Sequence, residues 1–456
     1  MHPLEPDLDQ SLALGRQVLD RVVSQLAQLS SAASHGREGA NQLALSFVQP
    51  QPPEHGRPLA DILDQLERGL DQTINTAGPG YLAYIPGGGL YASALAALWS
   101  AATNRYVGLW EPAPPLVQLE QNVISWLCDL VGFGPDAGGV LTSGGSLANL
   151  IATVAARDHH QPEDFLDGTV YVSNQAHLSV AKAARVAGFR RANVRLVPTC
   201  DQRLDPVALE QMLTEDRAAG LRPCLLVGNA GTTNTGAVDP LEQLALIAER
   251  HQLWFHVDAA YGGFFLLTER GRQALAGIER ADSVTLDPHK GLFLPYGTGA
   301  VVVRQREHLR ASFFAQAEYL QDLDTSQINF SDLSPEQSRG FRGLQVWLPL
   351  QLHGLGAFRD CLQEKLDLAD WAYARLAAAG FDMLAPPLLS LVAFRHPEGD
   401  QAGRRLLEAV LARKEVFLSS TLVDGRYTLR ICVLCFRTHR PHVKAAVEAL
   451  IELART

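Results

Sequence analysis

Residues 253–291 read LWFHVDAAYGGFFLLTERGRQALAGIERADSVTLDPHKG, and two apolar runs within them, LWFHVD and SVTLD, each stop at an aspartate. Outward from here the same kind of run recurs between Gly138 and Arg304 as GGVLTS, GTVYVS, VRLVP, CLLVGNA and GAVVVR. Helical patterns such as LANLIATVAAR, LSVAKAARVAG and PLEQLALIAERH fall between them. Short apolar strands separated by helices predict βαβ units and a mainly parallel sheet with helices on both faces. In such a sheet ligands bind at the carboxyl ends of the strands.

The rest of the chain frames this block. At 456 residues, with 47 % hydrophobic and 19 % charged residues, it has the composition of a globular protein of two or three lobes rather than a disordered or fibrous one. Lys and Arg total 39 against 49 Asp and Glu, a dispersed net charge of −10 that argues against nucleic acid or an anionic membrane as partner. The start, MHPLEPDLDQ, lacks the basic and apolar pattern of a secretory signal, so a cytoplasmic location is expected.

Leu8, Leu12, Leu19, Val22, Val23, Leu26 and Leu29 fall at helical spacing, predicting an amphipathic N-terminal helix that needs a partner surface. Ser30–Pro58, which includes PQPPEHGRP, reads as an extended connection. After Arg339 come two long helical stretches, then strands near LSLVAFR, VFLSST and YTLRICV and a final helix entered through Pro441, a smaller α+β lobe. The expected division is an N-terminal helical arm over 1–90, a large α/β domain over 91–338 and a small C-terminal domain over 339–456. Six cysteines in a chain of this length fit reduced thiols. Cys432 and Cys435 form a CxxC, but a strand there puts them on opposite faces, and Cys435, His439 and His442 lack a second ligand pair at zinc spacing, so no metal site is expected.

Lys290, placed after SVTL and before the loop LFLPYGTG, is a candidate Schiff-base nucleophile, because apolar surroundings disfavour the ammonium form; alone it would read as a surface lysine. Asp258 ends LWFHVD, where a carboxylate needs a cationic or hydrogen-bonding partner or else caps a turn. VLTSGGSLANL runs from strand into helix through Gly144 and Gly145, and Ser146 with the helix amides can hold a phosphate or serve as an ordinary cap. No Walker lysine and no GxGxxG accompany it. His177 follows GTVYVS and can stack on a flat ligand, and Thr232 and Thr233 follow CLLVGNA.

Five strand ends thus present a phosphate cradle, a flat imidazole, hydroxyls, a carboxylate and a lysine. With the motifs QAH, GTTNTG, HVDAAYGG and DPHK, from about Gly80 to the C-terminus, the chain resembles the group II decarboxylases, fold-type-I enzymes that use pyridoxal 5′-phosphate. The resemblance implies a large, mainly parallel sheet domain of the seven-stranded type, a smaller C-terminal domain, and a homodimer with shared active sites acting on a small-molecule amino-acid substrate. It implies that Lys290 carries the cofactor, Asp258 pairs with the pyridine nitrogen, His177 stacks on the ring, and Gly145 with Ser146 binds the phosphate. His289 would lie near the phosphate, Thr233 near the ring, and Ala260 in the cofactor site. In this family a mobile loop carries a tyrosine that acts in protonating the substrate carbon, and Tyr319 in AQAEYLQDLDTSQINF stands at the matching position.

On the substrate side GYLAYIPGGG resembles the family's pocket segment, with Tyr84 and Pro86 matching. Ile85 and Gly87 stand where aromatic-amino-acid decarboxylases usually have Phe and Thr, Leu109 replaces another frequent Phe, and Asp287 replaces the Asn of the animal enzymes. The reading that follows is α-decarboxylation of an L-amino acid, aromatic for preference, to amine and CO2. The alternatives are an aldehyde synthase, an aminotransferase, a diaminobutyrate-type decarboxylase, a non-catalytic scaffold, or an α/β-hydrolase. The hydrolase would use Ser146 of GGSLA with Asp258 and His289.

Overall fold

The computed structural model describes residues 2, 4–315 and 327–455. Along the chain run α1 (Leu8–Gln28), α2 (Ala40–Leu45), α3 (Leu59–Asp71), α4 (Tyr91–Thr103), α5 (Pro114–Leu130), β1 (Gly138–Thr142), α6 (Gly145–His160), β2 (Gly168–Ser173), α7 (Leu178–Val186) and β3 (Val194–Val197). A two-residue-stranded hairpin, β4 (Thr199–Cys200) with β5 (Arg203–Leu204), leads to α8 (Pro206–Ala218), β6 (Arg222–Asn229), α9 (Leu241–His251), β7 (Trp254–Asp258), α10 (Glu269–Ala274), β8 (Ser283–Leu286), α11 (Pro288–Gly291), β9 (Gly299–Val303) and α12 (Glu307–Phe313). The remainder is α13 (Arg342–Ala378), β10 (Asp382–Met383), β11 (Leu391–Arg395), α14 (Asp400–Ala412), β12 (Ser419–Val423), β13 (Arg426–Cys432) and α15 (Arg440–Leu453).

Seven strands form one sheet in the order β1-β9-β8-β7-β6-β2-β3. β9 runs antiparallel to both of its neighbours, and the other pairings are parallel. β1, β2, β7, β8 and β9 are buried along their whole length, which is why their sequences are apolar runs rather than alternations. Register sets Asn229 beside Asp258 and Asp258 beside Thr285, so three polar side chains from adjacent strands share one row near the carboxyl edge. The edge strand β1 is held from the side: Arg339 and Arg342 both donate to the carbonyl of Leu141, and the buried Arg339 is paired with the buried Glu120. Losing either partner of that pair would leave an uncompensated interior charge, at a cost of about 3–5 kcal/mol.

The second sheet, β10-β11-β13-β12, is antiparallel and packs Val392, Phe394, Leu429 and Ile431 against Leu368, Ala372, Val443 and Val447 of α13 and α15. Residues 80–82 extend it: Phe417 N–H donates to Gly80 O at 2.8 Å and Cys432 N–H to Leu82 O at 2.9 Å.

The structure departs from local expectation at two places. The stretch expected to be extended after Ser30 contains α2, whose ANQLAL has neither proline nor glycine to prevent a turn of helix. The two long helical stretches expected after Arg339 are both present, since α13 is broken at Gly354, whose φ 73° and ψ 154° are not helical, into two consecutive helical segments. β13 ends at Cys432, so Cys435 lies in the following turn rather than on the other face of the strand; both thiols are buried and free. No helix among the described residues is long and apolar enough to cross a membrane.

Candidate active site

The strand ends of the large sheet open on a cavity of about 240 Å³ lined by Gly144, Gly145, Ser146, Asn149, His177, Ser179, Thr232, Thr233, Asp258, Ala260, Asp287, His289 and Lys290, among others. β1 enters it through a glycine turn. Gly144 sits at φ 153°, ψ 173°, a conformation open essentially to glycine alone, and Thr142 Oγ1 braces it by donating to Gly144 O at 3.0 Å. Gly144 is also the residue preceding α6 and has no side chain with which to cap it, so the first-turn amides of this 16-residue helix face the cavity without a side-chain acceptor.

Asp258, buried at the end of β7, is placed by hydrogen bonds rather than by an ion pair. Its Oδ1 accepts from Ala260 N–H at 3.2 Å and its Oδ2 from Asn149 Nδ2 at 3.0 Å. Behind it His256 is enclosed: Nε2–H donates to Asn149 Oδ1 at 3.0 Å, and Nδ1 meets Ser283 Oγ at 2.7 Å, which itself accepts from Trp254 Nε1 at 2.8 Å. Burial pushes the His256 imidazole down to about 4, with the nearby Asp258 carboxylate opposing the fall. His256 is therefore neutral near pH 7 and acts as a hydrogen-bonding strut.

Lys290 lies in the four-residue α11, with Nζ 2.9 Å from Asp287 Oδ2. Asp287 is buried, and its Oδ1 has no hydrogen-bond partner among the described residues. It packs tightly on the start of α6, since a Cβ on Gly145 would come within 3.0 Å of Asp287 Oδ2. His289 Nδ1 binds Thr298 O at 2.5 Å, while Nε2 lies 3.6 Å from Asp287. Burial lowers the His289 imidazole against the pull of Asp287. This geometry does not suit a hydrolytic triad, because the carboxylate beside His289 is Asp287 and its other nitrogen is occupied by a backbone carbonyl.

His177 caps α7, its Nδ1 accepting from Ser179 N at 3.3 Å and meeting Ser179 Oγ at 2.7 Å. Partial burial lowers its imidazole, Asp258 opposing. Thr233 lines the cavity, and its carbonyl accepts from Arg430, a buried arginine that also binds Tyr84 O at 3.2 Å and Asn234 O at 2.8 Å. Tyr84 is thus tied to the cavity wall through Arg430, but Tyr84, Pro86 and Leu109 do not line this cavity within one chain. Gly87 has a steric reason to be glycine, since a Cβ there would lie 2.2 Å from His289 O. Tyr319 lies outside the described residues.

Asn149, Ser179, His256, Thr285 and Asp287 complete the polar lining and its support. Asn149 had a readable signal, a polar residue within the apolar helical stretch LANLIATVAAR, on the side of Ala148, Ile151 and Ala152, all buried.

Residues 44–397 match the family model for the pyridoxal-dependent decarboxylase conserved domain. The chain is 33 % identical over 449 residues to an aromatic-L-amino-acid decarboxylase of Bacillus atrophaeus, spanning 95 % of this chain and 93 % of the relative. It is 30 % identical to a phenylacetaldehyde synthase of Petunia hybrida, over 88 % and 84 % of the two chains. Among solved structures, Oryza sativa TDC with PLP and tryptamine is similar with a TM-score of 0.93 at 26 % identity, covering 100 % of this chain and 99 % of that one.

Proposed function

The chain belongs to the pyridoxal-dependent decarboxylase family and is a pyridoxal 5′-phosphate-dependent amino-acid decarboxylase, and from that premise we propose that its substrate is an aromatic L-amino acid, released as the amine and CO2. The observation that carries the assignment is the convergence, in one cavity, of a primary amine (Lys290), a buried carboxylate (Asp258), a flat imidazole (His177) and an uncapped helix start. The aromatic preference rests on the Bacillus relative and on the tryptamine in the rice structure.

The residues present fit the cofactor. The free first-turn amides of Gly145 and Ser146 suit a phosphate, with His289 at their side, and Asp258 is an acceptor for a ring N–H. The unpartnered Asp287 Oδ1 and the adjacent Lys290 mark where a polar group is still to be satisfied. When bound, the cofactor supplies a ring that accepts the electron pair left on the α-carbon as CO2 departs. Lys290 would supply the amine that holds the cofactor, Asp258 would keep the proton on its ring nitrogen, and His177 would support the ring. Thr233 and Ala260, which line the cavity, would lie near the ring, and Tyr84, Pro86 and Leu109 would serve the substrate side. In our reading Tyr319 delivers the proton to the α-carbon.

The Petunia relative carries a second reading, aldehyde formation, against which this chain keeps both His177 and Tyr319. Incubation of the holoenzyme with L-tryptophan, L-tyrosine, L-phenylalanine and L-2,4-diaminobutyrate under air should give amine from an aromatic substrate, with little peroxide. In Tyr319→Phe, amine formation should fall about a hundredfold, the usual worth of a positioned general acid. Aldehyde should rise, each molecule formed consuming one O2 and one water and releasing one CO2, one ammonia and one H2O2. Equal product ratios in wild type and variant would remove Tyr319 from the mechanism, and turnover of diaminobutyrate alone would overturn the aromatic assignment.

We also infer a homodimer. α1 buries none of its residues, Leu98, Trp99 and Leu352 are exposed on α4 and α13, and the exposed Leu355 of α13 lines an apolar groove of about 530 Å³ with Trp126, Leu130, Leu267 and Leu350. Light scattering should return twice the chain mass, and Trp99→Glu should shift it toward the monomer. The six free thiols fit a reducing cytoplasm, which fractionation of expressing cells checks.

A further inference from the structure

We propose that Asn149 is a positioning residue that locks the two groups flanking the bound cofactor, Asp258 and His177, into one hydrogen-bonded unit; the inference rests on the cofactor reading above. Every hydrogen-bonding position of its carboxamide is filled. Nδ2 donates to Asp258 Oδ2 at 3.0 Å and to Ser179 Oγ at 2.9 Å, while Oδ1 accepts from Thr285 Oγ1 at 2.7 Å and from His256 Nε2 at 3.0 Å. Two donors on one side and two acceptor sites on the other fix which way the amide points.

The consequence passes along the chain of bonds. Because Ser179 Oγ accepts from Asn149, its own hydrogen is free for the 2.7 Å contact with His177 Nδ1, which the Ser179 amide also approaches at 3.3 Å. With two donors aimed at it, Nδ1 carries no proton, and the neutral ring holds its hydrogen on Nε2. One buried amide therefore orients the Asp258 carboxylate and selects the His177 tautomer, coupling a residue of β7 to one at the start of α7 through α6. An oxygen in place of Nδ2 would reverse one bond and break the other.

The charged and titratable groups facing this unit are His256 and Asp258 from β7, Asp287, His289 and Lys290 at and around α11, and Lys182 on α7. Asn149→Asp adds a carboxylate against Asp258, and two carboxylates at such a distance share a proton. Asn149→Leu removes the bonds without adding charge.

The test is titration of each apoenzyme with pyridoxal phosphate from pH 6 to pH 8.5, followed by the visible absorbance of the bound cofactor. Wild-type binding, with its visible band, checks the cofactor reading itself, so its absence would fault that reading and not the role of Asn149. With wild type binding, Asn149→Leu should weaken binding about equally at every pH. Asn149→Asp should weaken it progressively as pH rises, by about tenfold or more relative to wild type across the range. A pH profile for Asn149→Asp parallel to that of wild type overturns the proposal. Should both variants fail to fold, Ser179→Ala decides. Removal of the hydroxyl donor eases protonation of His177 Nδ1, so the acid limb of kcat/KM should move to higher pH. An unmoved limb overturns the proposal.

Discussion

Lys290→Ala is expected to abolish turnover and the visible absorbance of the bound cofactor together. Covalent capture of an aldehyde needs a primary amine, and Lys290 is the lysine that lines the cavity. Lys365, which is fully buried, is engaged elsewhere, with Nζ on Glu364 Oε2 at 2.7 Å and on Thr438 O at 2.5 Å. Borohydride reduction of the holoenzyme followed by peptide mass mapping should therefore place the adduct on Lys290, and an adduct on Lys182 or Lys365 would refute the assignment. Because Lys290 also pairs with the buried Asp287, alanine there removes a counter-charge as well as a nucleophile. Lys290→Arg separates the two effects. It keeps a cation for Asp287 but supplies no primary amine, so it should retain the melting temperature better than alanine while remaining inactive.

Asp258→Asn is expected to lower kcat by at least about a hundredfold, or about 2.7 kcal/mol of transition-state stabilisation. Without the carboxylate no charged acceptor holds the proton on the cofactor's ring nitrogen, and electron withdrawal from the α-carbon weakens. The structure adds a second penalty. Both carboxylate oxygens accept, one from Ala260 N–H and one from Asn149 Nδ2, so either orientation of an asparagine amide sets a donor against a donor. A buried donor left unpaired costs about 1–3 kcal/mol, and cofactor affinity should weaken along with the rate. Stopped-flow turnover and cofactor titration on the same preparation measure both. A near wild-type kcat would remove Asp258 from the chemistry.

The large sheet was legible because its signals are local. A strand buried on both faces must be apolar at each position, so GTVYVS and SVTLD announce themselves, and cavity-lining residues such as Asp258 and Lys290 sit where such runs stop. The glycine turn at Gly144 and Gly145 was legible for the same reason, since a backbone conformation closed to other residues leaves its mark in the residue type itself. The antiparallel run of β9 carried no such mark, because an apolar strand reads alike in either direction.

By itself, then, the amino-acid sequence determined the class of sheet, the edge on which the cavity opens, and the lysine, aspartate and histidine that line it. Only the tertiary structure decided how those groups are held. Asn149 meets Asp258 across 109 positions of sequence and Thr285 across 136, Arg430 meets Tyr84 across 346, and Gly87 owes its missing side chain to the carbonyl of His289. It also decided that Asp287 ends with one buried oxygen unpartnered beside Lys290. The physical reason is range. Burial periodicity and turn chemistry are set by a residue's immediate neighbours along the chain, whereas a hydrogen bond at 3 Å between distant segments depends on how whole elements pack, and no local pattern encodes that.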